Sequence, residues 1–385
     1  MTAPPTATPP ATAPPGTRAA RRRDRRVYTR SHPVLFALLA ATRGRPVTRL
    51  GRAVLVQDGV PYREALTRVT LDRTAAGTTG GATRELSDGG TLFDQTGAEH
   101  RGARRAVAAD LGAAGVEHLR PVWRRLLEEE LAPLGAGGTV DLVDVARVLS
   151  GATVCALLGS TADPRELAAA ATTAAATAVR DHLPGPRFAH RTRAAVEAAA
   201  RLEHRLDPGG HRPDAALRAV LAVAAVTTTV AALPRAAAWC ADARLWDQAA
   251  DDRLRPALVG ELLRVTAPSP LLPRVAAADA RLGGRPVRAG DRLLLVARHA
   301  VRAHDAPPDA HHPVEPAVAQ LVFGAGPHAC PGARLARTQL DDVLAVLAAH
   351  RPTVVRARVD RRAALPGWRS LTVRSGAHDG RGEQS

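Results

Sequence analysis

The stretch Phe323-Gly324-Ala325-Gly326-Pro327-His328-Ala329-Cys330-Pro331-Gly332 packs three glycines, two prolines, a histidine and a cysteine into ten residues. It leads directly into a helical pattern running from Gly332 to His350. Cys330 therefore sits near a helix N-terminus, where backbone N–H groups and the helix dipole favour a thiolate over a thiol. A thiolate held in this way is an anionic metal ligand; the competing reading of a lone cysteine is a buried structural thiol. The other thiols, Cys155 and Cys240, have no such loop. Three cysteines without a CxxC pair point to a reducing, cytoplasmic compartment.

Taken whole, the loop resembles the haem-thiolate loop of the cytochromes P450, Phe-x-x-Gly-x-His-x-Cys-x-Gly, matched at Phe323, Gly326, His328, Cys330 and Gly332. The resemblance implies haem b as cofactor, with Cys330 as the axial iron ligand and the phenylalanine and glycines around its sulfur. Glu261-Leu-Leu-Arg264 matches the family's Glu-x-x-Arg pair, 69 residues before Cys330. Residues at i and i+3 share a helix face, so the pair can lock together and orient the haem-side core. Glu117-His-Leu-Arg120 has the same spacing and is read as an ordinary solvated pair.

Haem brings two propionates, which need donors. His100-x-x-x-Arg104 resembles the propionate-binding pair of bacterial P450s, and Arg274 resembles the arginine of the strand after Glu-x-x-Arg. His328 is the fourth donor. Ala224-Ala225-Val226-Thr227-Thr228-Thr229 occupies the place of the family's Ala/Gly-Gly-x-acid-Thr segment. The resemblance places Ala224 and Ala225 over the haem and Thr228 as the catalytic hydroxyl. Thr227 stands where the family has an acid, and a hydroxyl does not replace a carboxylate as a proton source. The alternative for these threonines is a set of core residues bonding back to their own helix. A second departure is Ala300-Val-Arg302-Ala-His304-Asp305, which replaces an Asn-Arg-Asp segment and an aromatic/Arg meander. His311 or His312 is the candidate to complete the Glu261–Arg264 network.

These residues need elements to position them. Alanine and leucine recur at helical spacing through most of the chain. Asp214–Trp239 reads as one long helix, apolar nearly all round, as expected of a helix buried in a large domain. Helical segments broken at Gly112 and Gly115 carry His100–Ala109 and Val122–Leu131; Val140–Leu158, Glu166–Val179, Thr192–Leu206 and Leu254–Val265 follow, with Leu183–Pro186 as a loop. Arg274–Leu295 changes to short strands with Gly283-Gly284 and Ala289-Gly290 turns. The expected fold is mainly α with small β-sheets, a single large cytochrome P450-like domain enclosing haem.

The chain has 385 residues, enough for a large core, and is 45% hydrophobic, which excludes full disorder. Its net charge is +16, carried by arginine alone: lysine, asparagine and isoleucine are absent, as GC-rich coding would produce. Residues 1–30 hold +6 and residues 351–385 hold +5 of that charge. Residues 1–30 are read as a disordered Pro/Ala/Thr and Arg-rich tail, 31–375 as the haem domain and 376–385 as a flexible end. No nucleic-acid-binding motif accompanies the arginines, so nucleic acid is not expected as a partner, and no membrane association is expected. The family resemblance, actinobacterial-like and of the soluble bacterial class, implies a monomeric monooxygenase of secondary metabolism. It would oxidise a hydrophobic small molecule with dioxygen, taking electrons from a ferredoxin and an NAD(P)H-dependent ferredoxin reductase. The altered Thr227 position keeps two alternatives open: an atypical oxidation such as coupling or desaturation, or a non-catalytic binding or regulatory role. Arg334 and Arg337, beside the Cys loop, are the candidates to meet an acidic ferredoxin.

Overall fold

The computed structural model describes residues 16–78, 80–81, 83–84, 91–182, 189–210 and 214–376. The helix Ala113–Gly135 places Val116, Leu119, Trp123, Leu127, Leu131 and Leu134 on one face, three or four residues apart, and buries all six. That face packs on Leu142 and Leu149 of helix Leu142–Leu158 and on Leu344 and Leu347 of helix Ala333–His350. Through this core runs the central helix, Ala215–Ala243. By length and composition it is the one helix among the described residues that would suffice to cross a membrane. Here it packs against the helices Leu142–Leu158, Pro164–His182 and Thr17–Ser31.

Among the described residues the strands form three sheets, of which the one carrying Val140, Trp368, Leu371 and Val373 packs into the helical core. One sheet runs, in spatial order, Val47–Leu50, Ala53–Val56, Arg292–Leu295, Leu272–Ala276 and Leu71–Asp72. Arg274 pairs with Leu293 across it. A second sheet joins Thr139–Asp141, Gly367–Arg374 and Thr353–Asp360. The hairpin Ala280–Leu282/Arg285–Val287 turns through Gly283 (φ +54°) and Gly284 (φ +76°), the pair of positive φ values that a tight hairpin needs and glycine supplies.

The mainly α architecture with small sheets is the one expected. One break, at Gly112, separates Gly97–Leu111 from Ala113–Gly135; Gly115 lies inside the second helix. The expected Leu183–Pro186 loop and the end 377–385 lie outside the described residues, as do residues 1–15.

The expected tail needs correction at 17–30. Thr17–Ser31 is a helix whose Ala20, Asp24, Val27 and Tyr28 form an inward stripe and are buried. The Asp24 carboxylate accepts from Arg235 Nε (2.9 Å) and Nη2 (2.7 Å) on the central helix and from Arg298 Nη2 at 3.1 Å. Tyr28 donates its hydroxyl hydrogen to the Thr266 carbonyl, and the Arg298 guanidinium lies 3.9 Å over its ring. Arginine-rich composition suggests a solvated tail. Helical periodicity instead puts the arginines on the outer face and buries the single acid as a clamp.

Candidate functional site

Between the Cys330 loop and the central helix lies a cavity of about 910 Å³. In the loop, the Cys330 N–H donates to the Phe323 carbonyl at 2.8 Å, closing a tight turn. Gly324 and Gly326 have φ values of +77° and +71°. A side chain on Gly326 would also meet the Leu66 carbonyl at 3.0 Å. Gly326 therefore turns the loop against helix Gly59–Thr67 and is not part of the cavity wall, unlike Phe323, His328, Cys330 and Gly332. The Cys330 sulfur is open to the cavity. Burial among protein atoms raises its thiol pKa, while the Gly332 N–H, Arg104 and Arg337 pull it down.

Four cationic or imidazole groups predicted from sequence converge beside the loop. Arg104 Nη1 donates to the Ala329 carbonyl at 2.6 Å, next to the cysteine. His100 stacks on His328 with ring centres 3.8 Å apart. Arg274 is half-buried, and desolvation lowers its pKa; its Nη1 donates to the Pro273 carbonyl at 2.8 Å, but its buried Nε has no hydrogen-bond partner among the described residues, nor has His100 Nε2. A fifth member, Arg73, escaped sequence reasoning. Its pKa falls to about 10, first through burial and then through the Arg274 charge. Its signal is its place just after strand Leu71–Asp72, which pairs with Val275 and Ala276 beside Arg274; no local motif marks it. His328 falls to about 3 through burial, Arg73, His100, Arg274 and Arg104, in that order. Among the described residues, the charges acting on this cluster are cationic, apart from Tyr62 opposite Arg274. Half-buried cations, an orphaned Arg274 Nε and no carboxylate acting on the cluster fit a dianionic ligand such as the propionates of haem.

Across the cavity stand Ala224, Ala225, Thr227 and Thr228. Both hydroxyls bond back along the helix: Thr227 donates to Val223 O at 2.7 Å and Thr228 to Ala224 O at 2.7 Å. The small side chains at 224 and 225 keep this wall open for a flat group between helix and cysteine.

Glu261 and Arg264 lie outside the cavity wall and form a buried pair, with Arg264 Nη2 to Glu261 Oε2 at 2.5 Å. His311 and His312 do not complete it. Arg264 donates instead to the carbonyls of Arg302 (2.9 Å), Ala306 (3.1 Å) and Pro307 (3.3 Å), and Glu261 accepts from the Val314 N–H at 3.1 Å. Backbone groups take the role expected of a side chain. Glu117–Arg120 also differs from the simple solvated pair: Arg120 reaches Asp342 at 2.7 Å and Trp123 Nε1 donates to the same carboxylate at 2.9 Å, tying two helices together. Arg337 is turned inward, 4.6 Å over the Phe323 ring and bonded to Gln320, whereas Arg334 remains exposed.

The family model described as Cytochrome P450 matches residues 246–349. Cytochrome P450-SU2 of Streptomyces griseolus is 30% identical over 311 residues, 75% of this chain and 74% of that protein. The 20-oxo-5-O-mycaminosyltylactone 23-monooxygenase of Streptomyces fradiae is 38% identical over 128 residues, 31% of this chain. The match spans only 30% of the length of that relative. Among solved structures, CYP164A2 of Mycobacterium smegmatis superposes with a TM-score of 0.72 at 21% identity, covering 92% of this chain and 99% of that one. At that identity the likeness concerns the fold.

Proposed function

Because the chain belongs to the cytochrome P450 family, we propose that it is a haem-thiolate monooxygenase acting on a hydrophobic small molecule. The observation that carries this reading is the opposition of Cys330 to Ala224–Thr228 across one cavity, with the unpaired cations Arg73 and Arg274 at its side. Cys330 would hold the iron of haem b through its sulfur, which opens to the cavity. Arg73, His100, Arg104, Arg274 and His328 would hold its propionates, and Arg104 also fixes the Ala329 carbonyl and with it the cysteine. Bound there, a haem with thiolate ligation supplies the electron push that favours O–O cleavage of dioxygen. The alanine, leucine and valine walls exclude water and select an apolar substrate. Thr227 and Thr228 line the same cavity as Cys330. The Streptomyces fradiae relative, named as a monooxygenase, supports oxygen insertion as the reaction. Electrons come from a ferredoxin and its NAD(P)H-dependent reductase, with exposed Arg334 as a contact for an acidic partner. The protein acts as a cytoplasmic monomer, and its haem domain spans residues 17–376.

The test is the spectrum of the reduced, carbon monoxide-treated protein. A strongly red-shifted Soret band that is lost in Cys330→Ala supports the assignment; a chain that takes up no haem overturns it. One observation favours a second reading, an atypical oxidation or a binding role: no carboxylate stands at position 227, and both threonine hydroxyls are bonded to their own helix. Dioxygen-dependent product formation with a surrogate ferredoxin separates the two.

A further inference from the structure

We propose that Glu203 recognises a positively charged nitrogen on the substrate, so that the molecule oxidised is a hydrophobic amine. This rests on the monooxygenase reading and specifies its substrate class. Helix Ala189–Leu206 presents Ala199 and Glu203, one turn apart, to the cavity, together with Leu202. Facing them are small apolar side chains, Ala175 and Val179 from one neighbouring helix and Ala219 from the central helix. Two carboxylates line the cavity among the described residues, Asp72 and Glu203. Asp72 is committed to its own turn, accepting from Thr74 N at 2.8 Å and Thr74 Oγ1 at 2.9 Å. Glu203 makes no side-chain hydrogen bond or ion pair among the described residues.

Burial alone raises the Glu203 carboxyl above its ordinary value; no charge among the described residues acts on it. Of the cavity arginines, Arg73, Arg104 and Arg274 act on His328 in the Cys330 loop and Arg292 bonds to the Ala76 carbonyl; none acts on Glu203. A half-buried carboxylate in an apolar wall is destabilised until a cation meets it, and the attraction strengthens as the site dries. An ammonium group on an apolar skeleton satisfies both halves of this wall: the nitrogen at Glu203 and the skeleton along the alanines. The same charge would exclude fatty acids and other carboxylates.

The experiment uses the haem-loaded full chain and isothermal titration calorimetry with two probes of equal chain length, decyltrimethylammonium and decanol. A quaternary nitrogen has no lone pair, so it cannot bind iron. The ammonium probe is expected to bind about ten-fold more tightly than the alcohol. Glu203→Gln removes that preference and leaves decanol affinity unchanged. Glu203→Lys, the second variant, shifts preference to decanoate. Equal affinity of the wild-type chain for both probes, including no binding of either, overturns the proposal, as does a preference that survives Glu203→Gln. Since the carbon monoxide spectrum is recorded on the same samples, failure of the haem-thiolate reading is seen separately.

Discussion

The imidazoles of His100 and His328 stack with ring centres 3.8 Å apart and planes inclined by 27°. The two residues lie 228 positions apart in the chain. Burial is the main reason both hold their pKa below the ordinary histidine value, and neighbouring arginines add to it. Two neutral rings can stack where two imidazolium ions would repel. The pair thus joins helix Gly97–Leu111 to the Cys330 loop and forms one side of the anion-ready cluster.

The cluster's unpaired cations predict opposite effects on the two forms of the protein. Arg274→Leu removes a half-buried charge that has no acid partner, so the haem-free chain should melt about 1–2 °C higher, the shift that roughly 1 kcal/mol produces in a domain of this size. Haem retention should fall at the same time if Arg274 holds a propionate as proposed. Scanning calorimetry of the haem-free chain and the rate of haem transfer to apomyoglobin read the two effects. Lower melting in the haem-free form would make Arg274 a packing residue instead.

The Glu261–Arg264 pair should behave as a structural lock. Arg264→Ala leaves the 2%-exposed Glu261 without its counter-charge. Breaking one side of such a pair costs about 3–5 kcal/mol. Arg264→Lys keeps the charge but loses the planar fork that reaches three carbonyls, so a smaller loss is expected. Urea unfolding measures both; equal stability of Arg264→Ala and wild type would contradict the lock.

At the distal wall, the missing carboxylate is directly testable. Thr227→Asp places an acid one residue before Thr228, facing the same cavity. Coupling of reductant consumed to product formed should rise if proton delivery limits the wild-type chain. The NADPH-to-product ratio, measured with hydrogen peroxide release, decides; an unchanged ratio means that position 227 is not on the proton route.

Acid sensitivity should come from a second histidine pair as well as from His100 and His328. Burial, followed by the Arg43 and Arg298 charges, lowers His299 from 6.5 to about 4, and His304 is lowered also, chiefly by burial. Below pH 6.5 the unfolded chain binds protons that the folded chain refuses, so stability is full above 6.5 and declines as pH falls toward 4. The expected loss is on the order of 1–3 kcal/mol across that window. Denaturant midpoints from pH 7 to pH 4.5 should show it, and His299→Gln should flatten the slope.

The Cys330 loop was legible in sequence because its chemistry is local. Glycines that accept positive φ, prolines and the cysteine follow one another, and helix Ala333–His350 starts immediately after them. Glu261 and Arg264 were legible for the same reason, since a helix turn alone brings i and i+3 together. The long apolar run likewise announced a buried central helix.

Tertiary packing decided what depends on distant partners. Arg73 enters the cation cluster only because Leu71–Asp72 pairs with the strand carrying Arg274. Glu203 becomes a cavity group only where three helices leave a gap. The arginine-rich segment read from composition as a tail is a helix held by Asp24, because its acid meets Arg235 and Arg298 from far along the chain. Residue order and spacing marked the Cys330 loop and the helical class, and the resemblance they carry pointed to the family; burial determined which charges stand alone, because a charge becomes costly only once the fold has removed its water.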